Sequence, residues 1–67
     1  MKLLTPAIIR SKRRQLEISQ EKVALEVGVE ISTMSRWEVG LSKFPLTKAN
    51  EIWKYLMEQE EIIKKSR

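Results

Sequence analysis

The 67-residue sequence contains no cysteine and no histidine. Disulfides and the usual zinc sites are thereby excluded, which fits a reducing cytoplasm. The residues on which nucleophilic and general-base catalysis most often rests are missing as well. Glycine occurs only at Gly28 and Gly40. No phosphate-cradling glycine loop is therefore possible, and both glycines read as helix stops. Neither an enzyme nor a bound cofactor or metal is expected. No apolar run approaches the ~18 residues of a membrane span. The apolar start is broken at once by Thr5-Pro6, too early for a signal peptide. The expectation is a cytoplasmic protein without a membrane partner. Residues 1–67 should form a single domain near the lower size limit of a core that folds unaided, with no room for an inducer-binding or self-cleaving module.

What is present is charge, unevenly placed. Net charge is +4. Residues 1–22 hold Lys2, Arg10, Lys12, Arg13, Arg14 and Lys22 against Glu17 and Glu21, and the rest of the chain is balanced. A basic end on a balanced domain suits phosphate contact. The same one-sidedness occurs on proteins that bind no nucleic acid, so charge alone does not choose the partner.

The apolar residues follow helical spacing throughout. Thr5-Pro6 reads as an N-cap with proline at the first helical position. It opens a first helix to about residue 17 whose inward stripe is Ile9, Arg13 and Leu16. Ser19 caps a second helix over residues 20–27, with Lys22 standing where a capping box wants Glu or Gln. Val23, Ala24 and Val27 share one face of it. Gly28 supplies the left-handed position that ends it. A third helix follows over residues 31–39, with Met34 and Trp37 on its inner face and Gly40 as its stop. Two short helices joined by so tight a turn are a helix-turn-helix. Residues 41–45 read as a loop. Thr47 is the expected cap of a fourth helix that turns Ala49, Ile52, Trp53 and Leu56 inward.

Arg13 is the odd member of an apolar stripe. Glu38 follows Met34 and Trp37 at i+4 and i+1, so it too leans toward the core. Each charge alone would cost several kcal/mol there, whereas a bidentate pair offsets the cost. Pairing of Arg13 with Glu17 on its own helix, or with phosphate, is the competing possibility. Trp37 and Trp53 lie on inward stripes and read as core rather than as base-stacking groups; Phe44 in the loop is open to either. Leu25, Leu41, Ile62 and Ile63 are apolar residues that the core pattern does not use.

Residues 9–45 carry Ser19-Gln20, Val23-Ala24, Gly28-Val29, Thr33-Met34-Ser35-Arg36-Trp37-Glu38, Gly40 and Pro45. In these pieces the chain resembles the lambda-repressor/Cro family of small DNA-binding domains, the XRE-type transcriptional regulators. The resemblance implies an all-α, five-helix fold. Family members break after the residue matching Leu56 and add a fifth helix. Residues 57–65 offer no glycine, proline or cap to make that break, so it is expected near residues 56–58 by packing, or else the fourth helix runs on. The resemblance also implies that Arg13 and Glu38 bridge helix 1 to the recognition helix.

Site roles follow from the same resemblance. Gln20 would donate to a phosphate at the positive end of helix 2, and Arg10, Thr33 and Lys43 would lie near the backbone. Ile31, Ser32, Ser35 and Arg36 would face the major groove. Arg36 suits guanine O6 and N7 or, nearly as well, a phosphate; Ile31 suits a thymine methyl, and Ser32 several base edges. Glu30 stands where relatives place a Ser or Thr cap, and it can accept from cytosine N4 instead. Val39 replaces a polar residue, often Asn, so one backbone contact is expected to be missing. The partner implied is double-stranded DNA with a palindromic operator, bound by a homodimer, because one domain of this size reads too few base pairs to be selective. The function implied is a sequence-specific regulator, a repressor of a phage or mobile element acting in a bacterial or phage-infected cell. The competing reading is an antitoxin or antirepressor that docks another protein through Leu41, Phe44, Ile62 and Ile63.

Overall fold

The computed structural model describes residues 4–66. Four helices follow one another: α1 (Pro6–Gln15), α2 (Gln20–Val27), α3 (Ile31–Glu38) and α4 (Leu46–Lys65). Among the described residues there are thus four helices rather than five. Helix α4 runs 20 residues without a break, about 30 Å at the usual rise. The reason is local. Nothing between residues 46 and 65 removes a backbone donor or demands a left-handed residue, so the hydrogen-bond ladder simply continues. Packing alone does not interrupt it.

The first three helices end alike. Ile18 and Glu17 donate to the carbonyls of Arg13 and Arg14, Val29 and Gly28 to those of Ala24 and Leu25, and Leu41 and Gly40 to those of Arg36 and Trp37. Each is a Schellman closure, which needs one left-handed residue. Gly28 and Gly40 provide two, at φ 76° and 82°. Glu17 provides the third at φ 57°, a position where a side chain costs ~1–2 kcal/mol. Helix α1 consequently stops at Gln15, two residues before the expected end, and α3 stops at Glu38.

The helix starts are Thr5, whose hydroxyl accepts from the Ile8 N–H at 3.2 Å, and Ser19, which accepts from Lys22 at 3.0 Å. Thr47 does not cap α4. The Pro45 carbonyl already accepts from Ala49 at 2.8 Å, which opens the helix two residues earlier. Proline fixes φ for that entry but has no side chain that can cap.

Helices α3 and α4 each pack on both α1 and α2. The core is Ile9 from α1, Val23 and Ala24 from α2, Met34 and Trp37 from α3, and Ala49, Ile52 and Leu56 from α4. Trp53 is half-buried against it. Phe44 is half-buried too and stacks on Trp37 with ring centroids 4.8 Å apart. That contact makes Phe44 part of the core margin. Two cations tie the short helices to the long ones. Lys48 of α4 donates to the Val27 carbonyl at 3.0 Å, and Arg10 of α1 donates to the Glu38 carbonyl at 2.9 Å. Each sits at a helix C-terminus, where the helix dipole favours positive charge.

Candidate nucleic-acid interface

Besides the core packing of Met34 and Trp37, the polar side-chain ties that position α3 converge on Glu38, whose side chain is almost wholly buried. Arg13 Nε donates to Glu38 Oε2 at 2.8 Å, and Arg13 Nη2 donates to Oε1 at 2.8 Å. Gln20 Nε2 adds a third bond to Oε1 at 2.9 Å. The remaining Arg13 amine, Nη1, donates to the Ile18 carbonyl at 3.0 Å. The pairing of Arg13 is therefore with Glu38 and not with Glu17. Among the described residues no buried side-chain polar atom lacks a partner, the condition under which a buried ion pair holds.

Burial pushes the Glu38 carboxyl pKa up, but the hydrogen bonds from Arg13 and Gln20 and the charges of Arg13 and Arg10 outweigh it and hold the pKa below its ordinary value. The group is thus a carboxylate, which can only accept, and this fixes the Gln20 amide with nitrogen inward. One carboxylate joins the last turn of α1, the first residue of α2 and the last residue of α3.

Sequence reasoning found the Arg13–Glu38 pair but missed Gln20 and Arg10 as members of the same cluster. Arg10 and Arg13 stand three apart on one helix, so a signal existed: they share a face. For Gln20 no such signal exists, because its approach to Glu38 depends on how α2 and α3 cross.

The opposite face of α3 is open. Glu30, Ile31, Ser32 and Arg36 are exposed, and Thr33 and Ser35 are half-buried. Ile31 is 48% exposed, a large fraction for isoleucine. Positions 31, 32, 35 and 36 form one helical stripe. Glu30 makes no cap bond, which leaves the first α3 amides without a side-chain acceptor. Val39 continues the stripe, and Lys43 lies exposed in the loop beyond. Neither Arg36 nor Lys43 enters an ion pair among the described residues.

The charge excess looks different in space than in sequence. Lys12 is paired with Glu60 at 2.9 Å, Arg13 with Glu38 and Lys22 with Glu26 at 3.2 Å. Lys2 lies outside the described residues. Among the described residues, the basic N-terminal third is therefore largely paired with carboxylates. Arg10 and Arg14 carry what remains of it, alongside Arg36 and Lys43 from elsewhere in the chain.

Among the described residues no cluster could hold a metal ion, and no helix is long and apolar enough to cross a membrane. Residues 9–56, well over half of the chain, match the model of the Helix-turn-helix family. The chain belongs to that family, in its lambda-repressor-like branch, and is a DNA-binding helix-turn-helix regulator of a non-enzymatic domain type. No curated protein and no solved structure is a match for it.

Proposed function

We propose that this chain is a sequence-specific repressor that binds a palindromic operator as a homodimer and acts by occluding it. Its setting would be the cytoplasm of a bacterial or phage-infected cell, and its target a phage or mobile-element promoter. One observation carries the reading: α3 is locked on its inner face by Glu38, while its outer face makes no side-chain hydrogen bond or ion pair among the described residues. A rigid helix with an unengaged polar face is what base reading needs. In this reading α3 lies in the major groove. Arg36 donates to guanine O6 and N7, Ile31 packs on a thymine methyl, Ser32 and Ser35 bond base edges, and Glu30 accepts from cytosine N4.

The phosphates are held around that face. Gln20 keeps one N–H beyond the one given to Glu38, and it sits where the first α2 amides point outward. Arg10 keeps four of its five donors after bonding the Glu38 carbonyl. Thr33 and Lys43 complete the set. Gln20 and Arg10 would thus touch both the DNA backbone and the residue that orients α3.

Selection of bound sites from random double-stranded DNA tests the proposal. The expected result is a palindrome with half-site centres about 34–36 Å apart. Recovery of no sequence preference, with binding that depends on salt alone, would sink it.

A further inference from the structure

We propose that Arg10 helps to choose the DNA sequence without touching a base. Its bond to the Glu38 carbonyl aims the last turn of α3, and its charge holds a phosphate as a separate job. This role rests on the repressor reading above and deepens it, by making a residue of the backbone clamp a determinant of base preference.

The hydrogen bonds at the end of α3 support it. The last four carbonyls of a helix have no partner within it. In α3 they belong to Ser35, Arg36, Trp37 and Glu38. Backbone N–H groups take three of them: Val39 donates to Ser35 at 3.2 Å, Leu41 to Arg36 at 2.9 Å and Gly40 to Trp37 at 3.2 Å. The Glu38 carbonyl is taken by Arg10 Nη1 at 2.9 Å. The backbone thus closes the turn on itself, and Arg10 ties its final carbonyl to α1.

Helix α2 ends in the same way, with Lys48 on the carbonyl of its last residue, Val27. The two caps differ in how their charge is matched. Lys48 also pairs with Glu51 at 3.1 Å. Arg10, which is half-buried, enters no ion pair among the described residues. The carboxylate of the residue it caps is already held by Arg13 through two bonds. Two guanidinium groups therefore share one carboxylate, and one positive charge is left over. Arginine cannot shed that charge, and the donors left on Arg10 suit an anion. In the repressor reading that anion is a phosphate.

The last turn of α3 carries Arg36, whereas Ile31 and Ser32 lie more than a turn nearer its start. A shift of the last turn moves Arg36 most. A two-bond contact to guanine tolerates little displacement. Losing the Glu38 cap should therefore be felt at the base pair that Arg36 reads.

The test compares two replacements at position 10 in the full chain, whose 67 residues are within reach of chemical synthesis. Citrulline keeps the shape of arginine and its N–H donors without the charge, so it can still bond the Glu38 carbonyl. Arg10→Ala can do neither job. Both should reduce the salt slope of binding by about 0.9, the contribution of one phosphate contact. Only Arg10→Ala should weaken discrimination at the base pair that Arg36→Ala identifies, by about three- to tenfold, the value of one hydrogen bond. Discrimination at the other base pairs should stay within about twofold in both proteins. Lys48→Met removes the equivalent cap from α2 and controls for lost stability; base preference should survive it.

Unchanged discrimination in Arg10→Ala, a loss spread evenly over all positions, the same loss in the citrulline protein, or the same loss in Lys48→Met would each overturn the proposal. A parent protein with no base preference would overturn the repressor reading instead. The aim of α3 can be read without DNA as well. The Gly40 and Leu41 amides, which close α3, should exchange with solvent faster in Arg10→Ala than in the citrulline protein. Equal rates would overturn the proposal whatever the DNA result.

Discussion

The two faces of α3 differ in kind. On the inner face, Met34 and Trp37 are buried among residues of the other helices, and Glu38 takes three side-chain hydrogen bonds from α1 and α2. On the outer face, Ile31, Ser32 and Arg36 are exposed, and among the described residues their side chains enter no hydrogen bond or ion pair. Substitutions on the first face should be read in stability, because burial and pairing are at stake. Those on the second should be read in binding, because unburied side chains contribute little to folding. A protein that reads DNA needs this division: the frame must not shift when the reading surface is changed.

The largest effects should come from breaking the frame. Arg13→Met and Glu38→Gln should each cost about 3 kcal/mol of folding stability, since each strips a buried group of its partner. The double change should cost clearly less than the sum. Strict additivity in chemical unfolding would mean that the two side chains do not act as a pair. Acid should reach the same cluster. The Glu38 pKa is lowered from 4.5 by folding, so its contribution is fully present above that value and is lost as pH falls through the lower folded one. Thermal unfolding between neutral pH and about pH 3 should therefore show a loss that Glu38→Gln reduces, the Lys12-paired Glu60 carrying part of the rest. An identical acid slope in both proteins would place the titrating group elsewhere.

Gln20 lies on the border between the faces. Gln20→Ala should cost about 1 kcal/mol in stability through the lost bond to Glu38. It should also weaken binding by about 1 kcal/mol on every DNA sequence, because phosphate contacts position without specifying. A loss confined to one operator variant would make Gln20 a base reader.

The effects at the helix stops are no larger, and their signs are opposite. Gly28→Ala should destabilise by about 1 kcal/mol. A Cβ there meets nothing within 4 Å, so backbone strain is the only cause. Glu17→Gly removes the same strain from the exposed end of α1 and should stabilise by about 0.5 kcal/mol, the gain being offset in part by a freer unfolded chain. Melting curves of the two variants check both, and shifts of the same sign would contradict the account.

The core was legible because it is periodic. Each of its eight apolar residues lies on a stripe that the sequence displays, and the stops at Gly28 and Gly40 follow from residue type alone. The Arg13–Glu38 pair was legible because two charges stood where only apolar residues belong. What was hidden depends on tertiary geometry or on a weak signal overridden. The left-handed Glu17 carries no sign in its residue type. The entry of α4 at Pro45 was masked by Thr47, a better cap by composition that comes two residues too late. The unbroken α4 was in fact written in the absence of breakers, and the family pattern argued against it. The spatial neutralisation of Lys12 and Lys22 was half visible: Lys22 and Glu26 stand at i, i+4, while Lys12 and Glu60 meet only in the fold.

Arg36 tests the division between the two faces most directly. Binding of Arg36→Ala should be titrated on the selected site and on its single-base variants, at several salt concentrations, alongside an unfolding curve. The expected result is folding stability within about 0.5 kcal/mol of the parent. On the best site a loss of ~1–3 kcal/mol should appear, with relaxed preference at one symmetric pair of base positions. A salt slope reduced by about 0.9 with base preference intact would make Arg36 a phosphate clamp. A fall of several kcal/mol in folding stability would show that the outer face of α3 is part of the frame after all.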